Sequence, residues 1–488
     1  MIAGLGSYAA YRDSGVPWLG ELPDHWEVRR LRNAATMLVS NVDKLTKDGE
    51  VPVLLCNYVD VYKNERIRTR LPFMRATASL DEVKRFHVEV DDVLVTKDSE
   101  SWTDIGVPAL VEEVASDLVC GYHLAILRPF RGRASGGYLL RVLQAPSVQY
   151  QFHVQACGVT RYGLSQNAIK TAWLPLPPRD EQDAIERFLN HMDRQIRGYI
   201  RAKQRLIKLL EEQKQAIVHC AVTRGLDPNV RLKPSGFEWL GHIPEHWGVE
   251  RVKEVARMES GHTPSRSNPE HWRDDNDIPW VSLNDTKQLE AADFISDTTL
   301  HINALGIQNS SAHMLPAGVV VFTRDATVGK AAITTRPMAV SQHLIAWVCG
   351  PRISNRYLLR VFYAMKAELS RFTFGATIAT IGMDDVRNLV TPVPPLDEQV
   401  RIAAYLESSC DRLDLALGNI HRDLALVREY RTRLIADVVT GKLDVREAAA
   451  RLPEEFEEAE SVEDLDAFAD AEAETDTDLA AETEEVGV

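Results

Sequence analysis

Two stretches of this chain each run for more than forty residues without a proline, and they open and close alike. The first opens Leu174-Pro175-Leu176-Pro177-Pro178-Arg179-Asp180-Glu181-Gln182 and the second Thr391-Pro392-Val393-Pro394-Pro395-Leu396-Asp397-Glu398-Gln399, while their ends read Ala221-Val222-Thr223-Arg224-Gly225-Leu226-Asp227 and Val438-Val439-Thr440-Gly441-Lys442-Leu443-Asp444. About 217 residues separate corresponding positions, a period that means duplication of a whole unit and not a solenoid. In the first copy Ile185, Leu189, Met192, Ile196, Tyr199, Leu206, Leu210, Ile217 and Cys220 recur at steps of four and three, broken by Lys203 and Gln213. The second carries Leu406, Cys410, Leu413, Leu417, Ile420, Leu424, Val427, Leu434 and Val438, broken by Arg431. This spacing predicts two long helices paired as an antiparallel coiled coil, with Asp180 and Asp397 as N-caps and Gly225 and Gly441 as stops. Roughly 44 residues at ~1.5 Å each give a rod of about 66 Å. The alternative is that each helix is buried on its own domain or dimerises.

The formal net charge of -15 argues against a nucleic-acid partner until its distribution is counted. Residues 447–488 hold 17 Asp and Glu against one Arg, which leaves the rest of the chain at +1. That tail reads as disordered and solubilising, with mimicry of nucleic acid as the sharper alternative. The six cysteines are scattered without CxxC or zinc spacing, and the start has no signal-peptide pattern. A cytoplasmic protein is expected.

A second repeat precedes each mixed region. Asp13-Ser14-Gly15-Val16-Pro17-Trp18-Leu19-Gly20-Glu21-Leu22-Pro23-Asp24-His25-Trp26 returns as Pro234-Ser235-Gly236-Phe237-Glu238-Trp239-Leu240-Gly241-His242-Ile243-Pro244-Glu245-His246-Trp247. Its spaced Gly and Pro preclude a long helix, and its tryptophans suit a strap docked on another element. His25 and His246 read as structural, because no carboxylate or thiol partner recurs beside both in a pattern suited to catalysis or ligand binding. Strand-like runs follow at 51–58, 92–96 and 122–127, and again at 278–283, 318–323 and 344–348. One local echo survives between these interiors: Thr96-Lys97 with Gly106 later, against Thr323-Arg324 with Gly329-Lys330 later. Arg161 and Tyr162, in the loop from Gly158 to Gly163, and the loop from Phe374 to Thr377 add flexible polar segments. Such groups suit phosphate and base-edge contacts, although a single Lys or Arg is more often a solvated surface residue.

GxxxxGK[ST], HExxH, GxSxG and GxGxxG patterns are all missing from the sequence, so catalysis by this chain alone is not expected. The SGxxWLGxxPxHW strap, the PPxxEQ helix start and the Val-Thr-Gly ending together resemble the specificity (S) subunit of type I restriction-modification systems, over nearly everything up to Arg446. Ser260-Gly261-His262-Thr263-Pro264-Ser265 followed by Ile278-Pro279-Trp280-Val281-Ser282 resembles one branch of that family's target recognition domains. The first mixed region lacks this stretch.

The resemblance implies an α+β fold with pseudo-twofold internal duplication: two mixed α/β target recognition domains separated by two long helices that form an antiparallel coiled coil. The expected segments are strap and target recognition domain 1 (1–178), central long helix (179–226), second strap and target recognition domain 2 (227–395), distal long helix (396–446) and acidic tail (447–488). Each domain would read one half of an asymmetric bipartite site in double-stranded DNA. Two methyltransferase (M) subunits and restriction (R) subunits would join, bringing S-adenosylmethionine, Mg and ATP, so the chain itself needs no cofactor and no metal. Candidate DNA-binding residues are Thr96, Lys97, Arg161, Tyr162, Thr323, Arg324 and Lys330. A coiled-coil assembly scaffold without sequence-specific DNA binding, or an enzyme with hidden nuclease or methylase activity, are the alternatives.

Overall fold

Each long helix begins directly after a Pro-Pro pair, and the group that caps it is a proline carbonyl. In the computed structural model, which describes residues 5–272, 278–374 and 379–453, the helices span Arg179–Arg224 and Leu396–Val439. The Pro178 carbonyl accepts the amides of Glu181 and Gln182, both at 3.0 Å, and Pro395 does the same for Glu398 and Gln399. Asp180 and Asp397 therefore lie within the first turn, where the helix dipole favours their charge, and are not the N-caps expected from sequence. Gly225 and Gly441 do stop the helices, at φ 75° and 70°, a conformation that costs glycine little.

The chain divides into two units. Unit 1 comprises residues up to Lys203 together with those from Arg422 onward, and unit 2 comprises Gln204–His421. Each unit thus contains one strap, one mixed region and part of both long helices. The first residues assigned to the acidic tail belong to unit 1: Ala449 is buried within helix Arg446–Ala450, and Arg187 donates to the Leu452 carbonyl at 2.7 Å. Residues 454–488 lie outside the described residues.

The two mixed regions, so unlike in sequence, follow one strand plan. In unit 1 a five-stranded sheet has the order Ala35–Val39, Leu124–Pro129, Val93–Thr96, Pro108–Val111, Arg66–Ile67, antiparallel except for the last pair. Unit 2 repeats it as Ala256–Ser260, Leu344–Cys349, Val320–Thr323, Ala331–Thr334, Phe294–Ile295, again parallel only at the last pair. A three-stranded sheet is repeated too: Val51–Cys56 lies between a parallel and an antiparallel neighbour, and so does Ile278–Val281. The central strands are buried on both faces, which accounts for their continuous apolar runs where a half-exposed strand would alternate. The region closes on itself when Trp173–Leu176 pairs with Glu27–Arg30, and in unit 2 when Val390–Val393 pairs with Gly248–Arg251.

The straps are fastened by the glutamate of PPxxEQ. Glu181 takes the Trp26 indole N–H at 2.9 Å on one carboxylate oxygen and His25 Nε2 at 2.6 Å on the other. Glu398 does the same with Trp247 at 2.9 Å and His246 at 2.8 Å. A carboxylate therefore does recur beside both histidines, contrary to the reading of the sequence alone. It is 156 residues away in one unit and 152 in the other, beyond the reach of any local pattern. The neighbouring glutamines finish the joint: Gln182 donates to the carbonyls of Arg133 and Pro177 at 2.8 and 2.9 Å, and Gln399 to those of Arg352 and Pro394 at 2.9 Å each. Trp26 and Trp247 are buried and pack against Gly441 and Gly225, the residues where the helices stop.

The expected seam holds along the second long helix, where every residue from Leu406 to Val438 assigned to it is buried or half-buried. Along the first it drifts. Tyr199 and Leu206 are exposed while Ile200 is buried, and near the end Val218 and Ala221 are buried where Ile217 and Cys220 were expected. Spacing of 3.6 residues per turn slips from a strict heptad by ~20° per heptad, so the stripe advances one residue. Within unit 1 the two helices run antiparallel, with Asp193 against Arg431 and Lys203 against Asp423. Unit 2 pairs Lys214 with Asp414.

Replacing Glu181 by alanine leaves a buried indole N–H without its acceptor and should lower unfolding free energy by about 3 kcal/mol. Glu398→Ala, whose glutamate is 24% exposed against 5% for Glu181, should cost about half as much. Denaturant titration of the two variants measures the difference.

Candidate nucleic-acid interface

The strands Val93–Thr96 and Val320–Thr323 each end on a threonine, a cation and an aspartate, and the structure gives those three residues matching surroundings in both units. Thr96 and Thr323 are fully buried. Their hydroxyls accept the amides of Val107 at 3.0 Å and Lys330 at 2.9 Å, and their carbonyls take those of Gly106 and Gly329 at 3.1 and 3.0 Å. These threonines brace the loop that returns to the next strand, and their hydroxyls are engaged within the fold.

The cation that follows comes to the surface beside an aspartate and a histidine. Lys97 Nζ lies 3.1 Å from Asp98, whose carboxylate also holds His123 Nδ1 at 2.8 Å. Arg324 Nη2 lies 3.1 Å from Asp325, which holds His343 Nδ1 at 2.7 Å. The backbone repeats the arrangement, since the amide of Lys97 donates to the His123 carbonyl at 3.0 Å and that of Arg324 to the His343 carbonyl at 2.9 Å. An ionised carboxylate only accepts, so each imidazole presents Nδ1–H to it and turns Nε2 away, and in His343 that Nε2 lies 3.3 Å from Gln342 Nε2. Burial pushes the Asp325 carboxyl up, but hydrogen bonds from Thr380, His343 and Arg324 outweigh it and hold the group below the usual carboxylate range. Asp325 therefore stays ionised and keeps its donors in place.

Arg161 and Tyr162 join this cluster in unit 1. Their hairpin pairs with the strand at Asp98–Ser99, Tyr162 opposite Ser99, and Arg161 Nη2 comes within 3.5 Å of His123 Nδ1. Tyr122 packs against His123 with ring centroids 3.7 Å apart and the rings tilted by 42°. In unit 2 the corresponding strand contact is Asp325 opposite Thr380, and most of the loop from Phe374 to Thr377 lies outside the described residues. Lys330 does not join: its ammonium pairs with Glu290 on helix Thr286–Ala291. The Gly-His-Thr-Pro-Ser stretch reaches the same edge, because Gly261 lies against the Val340 carbonyl, where a Cβ would sit 1.6 Å from the oxygen, and Thr263 donates to Gln342 at 2.5 Å.

Of the seven candidates Arg161 is exposed and four are half-buried, with Lys97, Arg161 and Tyr162 together in one cluster, Arg324 in the other and Lys330 apart. Sequence reasoning missed Asp98, His123, Asp325, His343 and Thr380. The signal was present as Thr-Lys-Asp against Thr-Arg-Asp, and as His-Leu at the start of strands Leu124–Pro129 and Leu344–Cys349. A cation and an oriented imidazole at a strand end are donors of the kind that meet phosphates and base edges. Among the described residues no group of three or more His, Cys, Asp or Glu side chains could hold a metal ion, and no helix is long and apolar enough to cross a membrane.

Residues 244–419 match the family described as type I restriction modification DNA specificity domain. Over 432 residues the chain is 21% identical to the type I restriction enzyme MjaX specificity subunit of Methanocaldococcus jannaschii, covering 88% of this chain and 96% of that one. It is 26% identical over 177 residues to the MjaIX specificity subunit of the same organism, 36% of this chain and 40% of that one. A solved chain from work on complex assembly and conformational transition of the type I R-M system shares the fold, with a TM-score of 0.63 at 18% identity over 86% of this chain and 98% of that one.

Arg324→Ala should weaken binding to duplex DNA and lower the slope of log affinity against log salt by about 1. Thr323→Val should instead cost about 1 kcal/mol of stability and leave the slope unchanged. A salt titration of binding, with thermal melts alongside, separates the two.

Proposed function

We infer that this chain is the DNA specificity subunit of a type I restriction-modification system, the family to which its duplicated straps, helix starts and matched domain assign it. It is the sequence-recognition component and is not itself catalytic. The observation that carries the reading is a single strand plan used twice, with a cation, an aspartate and an oriented histidine at the same strand end in each unit.

The finer mechanism follows from that duplication. Unit 1 reads one half of a bipartite DNA site and unit 2 the other, and the two halves differ because residues around the shared Asp-His pair differ: Arg161, Tyr162 and Tyr122 in one, Gln342, Thr263 and Thr380 in the other. Arg and Lys supply phosphate and guanine contacts, and a good bidentate base contact discriminates by about 1–3 kcal/mol. The two long helices pair antiparallel as a coiled coil and fix the spacing of the readers. The Asp193–Arg431, Lys203–Asp423 and Lys214–Asp414 pairs support this, since numbers rise along one helix as they fall along the other. The repeated straps and helix ends offer two equivalent faces to two methyltransferase subunits, and restriction subunits join to form an ATP-dependent endonuclease in the cytoplasm. S-adenosylmethionine, Mg and ATP belong to those partners. A scaffold without DNA specificity would need the helices but not two diverged readers carrying the same donor cluster.

Exchanging residues 30–173 for the same region of another such subunit should change one half of the methylated site and leave the other half and the spacer as they were. Sequencing of methylated DNA reads this out, and a change in both halves or in neither contradicts the two-reader mechanism.

A further inference from the structure

Arg431 interrupts the apolar stripe of the second long helix, and the structure shows what it serves. It belongs to a network of five charges drawn from four parts of unit 1, with Arg141 and Asp193 buried and Glu65, Arg197 and Arg431 partly exposed around them. Glu65 comes from the segment before strand Arg66–Ile67, Arg141 from helix Gly136–Gln144, Asp193 and Arg197 from the first long helix, and Arg431 from the second. Arg431 Nε lies 2.6 Å from Asp193 and its guanidinium also reaches Glu65; Arg141 lies 3.0 Å from Asp193, and Arg197 lies 2.5 Å from Glu65. Arg141 and Asp193 are 1% and 5% exposed. Burial pushes the Glu65 carboxyl up, yet Arg431 and Arg197 bring it down to about 2, so it stays ionised.

Unit 2 has the same arginine in the same repeated run, Tyr357-Leu358-Leu359-Arg360-Val361 against Tyr138-Leu139-Leu140-Arg141-Val142, but spends it differently. Arg360 pairs with Asp293 inside its own mixed region, 3.2 Å from Nη1. At the positions that the 217-residue step equates with Asp193 and Arg431 stand Cys410 and Lys214. Cys410 packs in the apolar core, and Lys214 pairs with Asp414 on the other long helix, half in solvent. The ties between region and helices there include an exposed Arg356–Glu407 pair and a neutral hydrogen bond from Gln215 to the Tyr363 carbonyl.

We propose that the Glu65, Arg141, Asp193, Arg197 and Arg431 network is a positioning device that fixes the orientation of the unit 1 reader on its helices, making that reader the reference from which the spacer between half-sites is measured. Apolar contact is non-directional and tolerates rotation. Buried ion pairs are satisfied in one orientation, and any other leaves uncompensated charge in the interior. The inference rests on the two-reader mechanism.

The test gives unit 1 the residues that unit 2 carries, Asp193→Cys with Arg431→Lys, in the full chain assembled with its methyltransferase subunits. Binding is measured on duplexes with the natural spacer and with one base pair more or fewer. The variant should bind the natural duplex nearly as well as the parent while its preference over the altered spacers falls by about tenfold. Lys214→Ala, which removes only an exposed pair, should leave the preference intact. Should the double variant melt early, Glu65→Gln, of nearly the same shape, is measured in its place. A folded variant with the parent's spacer preference overturns the proposal. A parent complex without preference for any bipartite duplex removes the two-reader mechanism, and the proposal with it.

Discussion

The carboxylate at the start of each long helix is the contact on which the rest of the architecture depends. Glu181 and Glu398 each receive an indole N–H and an imidazole from the strap, while the adjacent glutamine ties the same helix turn to the mixed region. The helix start, the strap and the closing strands are thereby joined at one point. A tryptophan buried with its N–H satisfied contributes both apolar area and direction, which apolar packing alone does not provide. Because the strap also covers the glycine where the other long helix stops, the helix ends are defined relative to the sheet that carries the readers.

A fixed frame leaves the interiors free to change. Strand order and the parallel or antiparallel sense of each neighbour are the same in both units, yet few side chains correspond. What persists sits at the strand end: a threonine bracing the loop, a cation beside an aspartate, and a histidine aimed by that aspartate. Around this constant part the loops differ in length, ten residues lying between Thr96 and Val107 and six between Thr323 and Lys330. Under the proposed function, variation around this constant part is what lets one fold read two different half-sites.

The parts legible in the sequence were those that repeat or that follow from local chemistry. The straps, both long helices, their glycine stops and the strand runs at 92–96 and 318–323 could all be located from pattern. The clasp could not, since Glu181 and His25 are brought together only by the fold. The N-caps were misjudged because an aspartate near a helix start is the usual signal, whereas here the proline carbonyl takes the role. The heptad seam was extended too far along the first long helix because a 3.5-residue period and a 3.6-residue period are indistinguishable over two turns and differ by a whole residue over ten. Thr96 and Thr323 carried the right chemistry for DNA but are buried, and burial is set by strands distant in the sequence. Of each Asp-His pair, the aspartate directly follows the repeated threonine and cation in sequence, while the histidine lies 25 residues further on in one unit and 18 in the other.

In the proposed function this one chain dictates a bipartite DNA sequence, read by two unlike units held at a fixed spacing. Mapping methylated adenines across the genome, with and without this chain, tests it most directly. Removing the chain should abolish a single motif made of two different half-sites separated by an invariant number of unspecified bases. An unchanged map, or the loss of one contiguous motif, would contradict it.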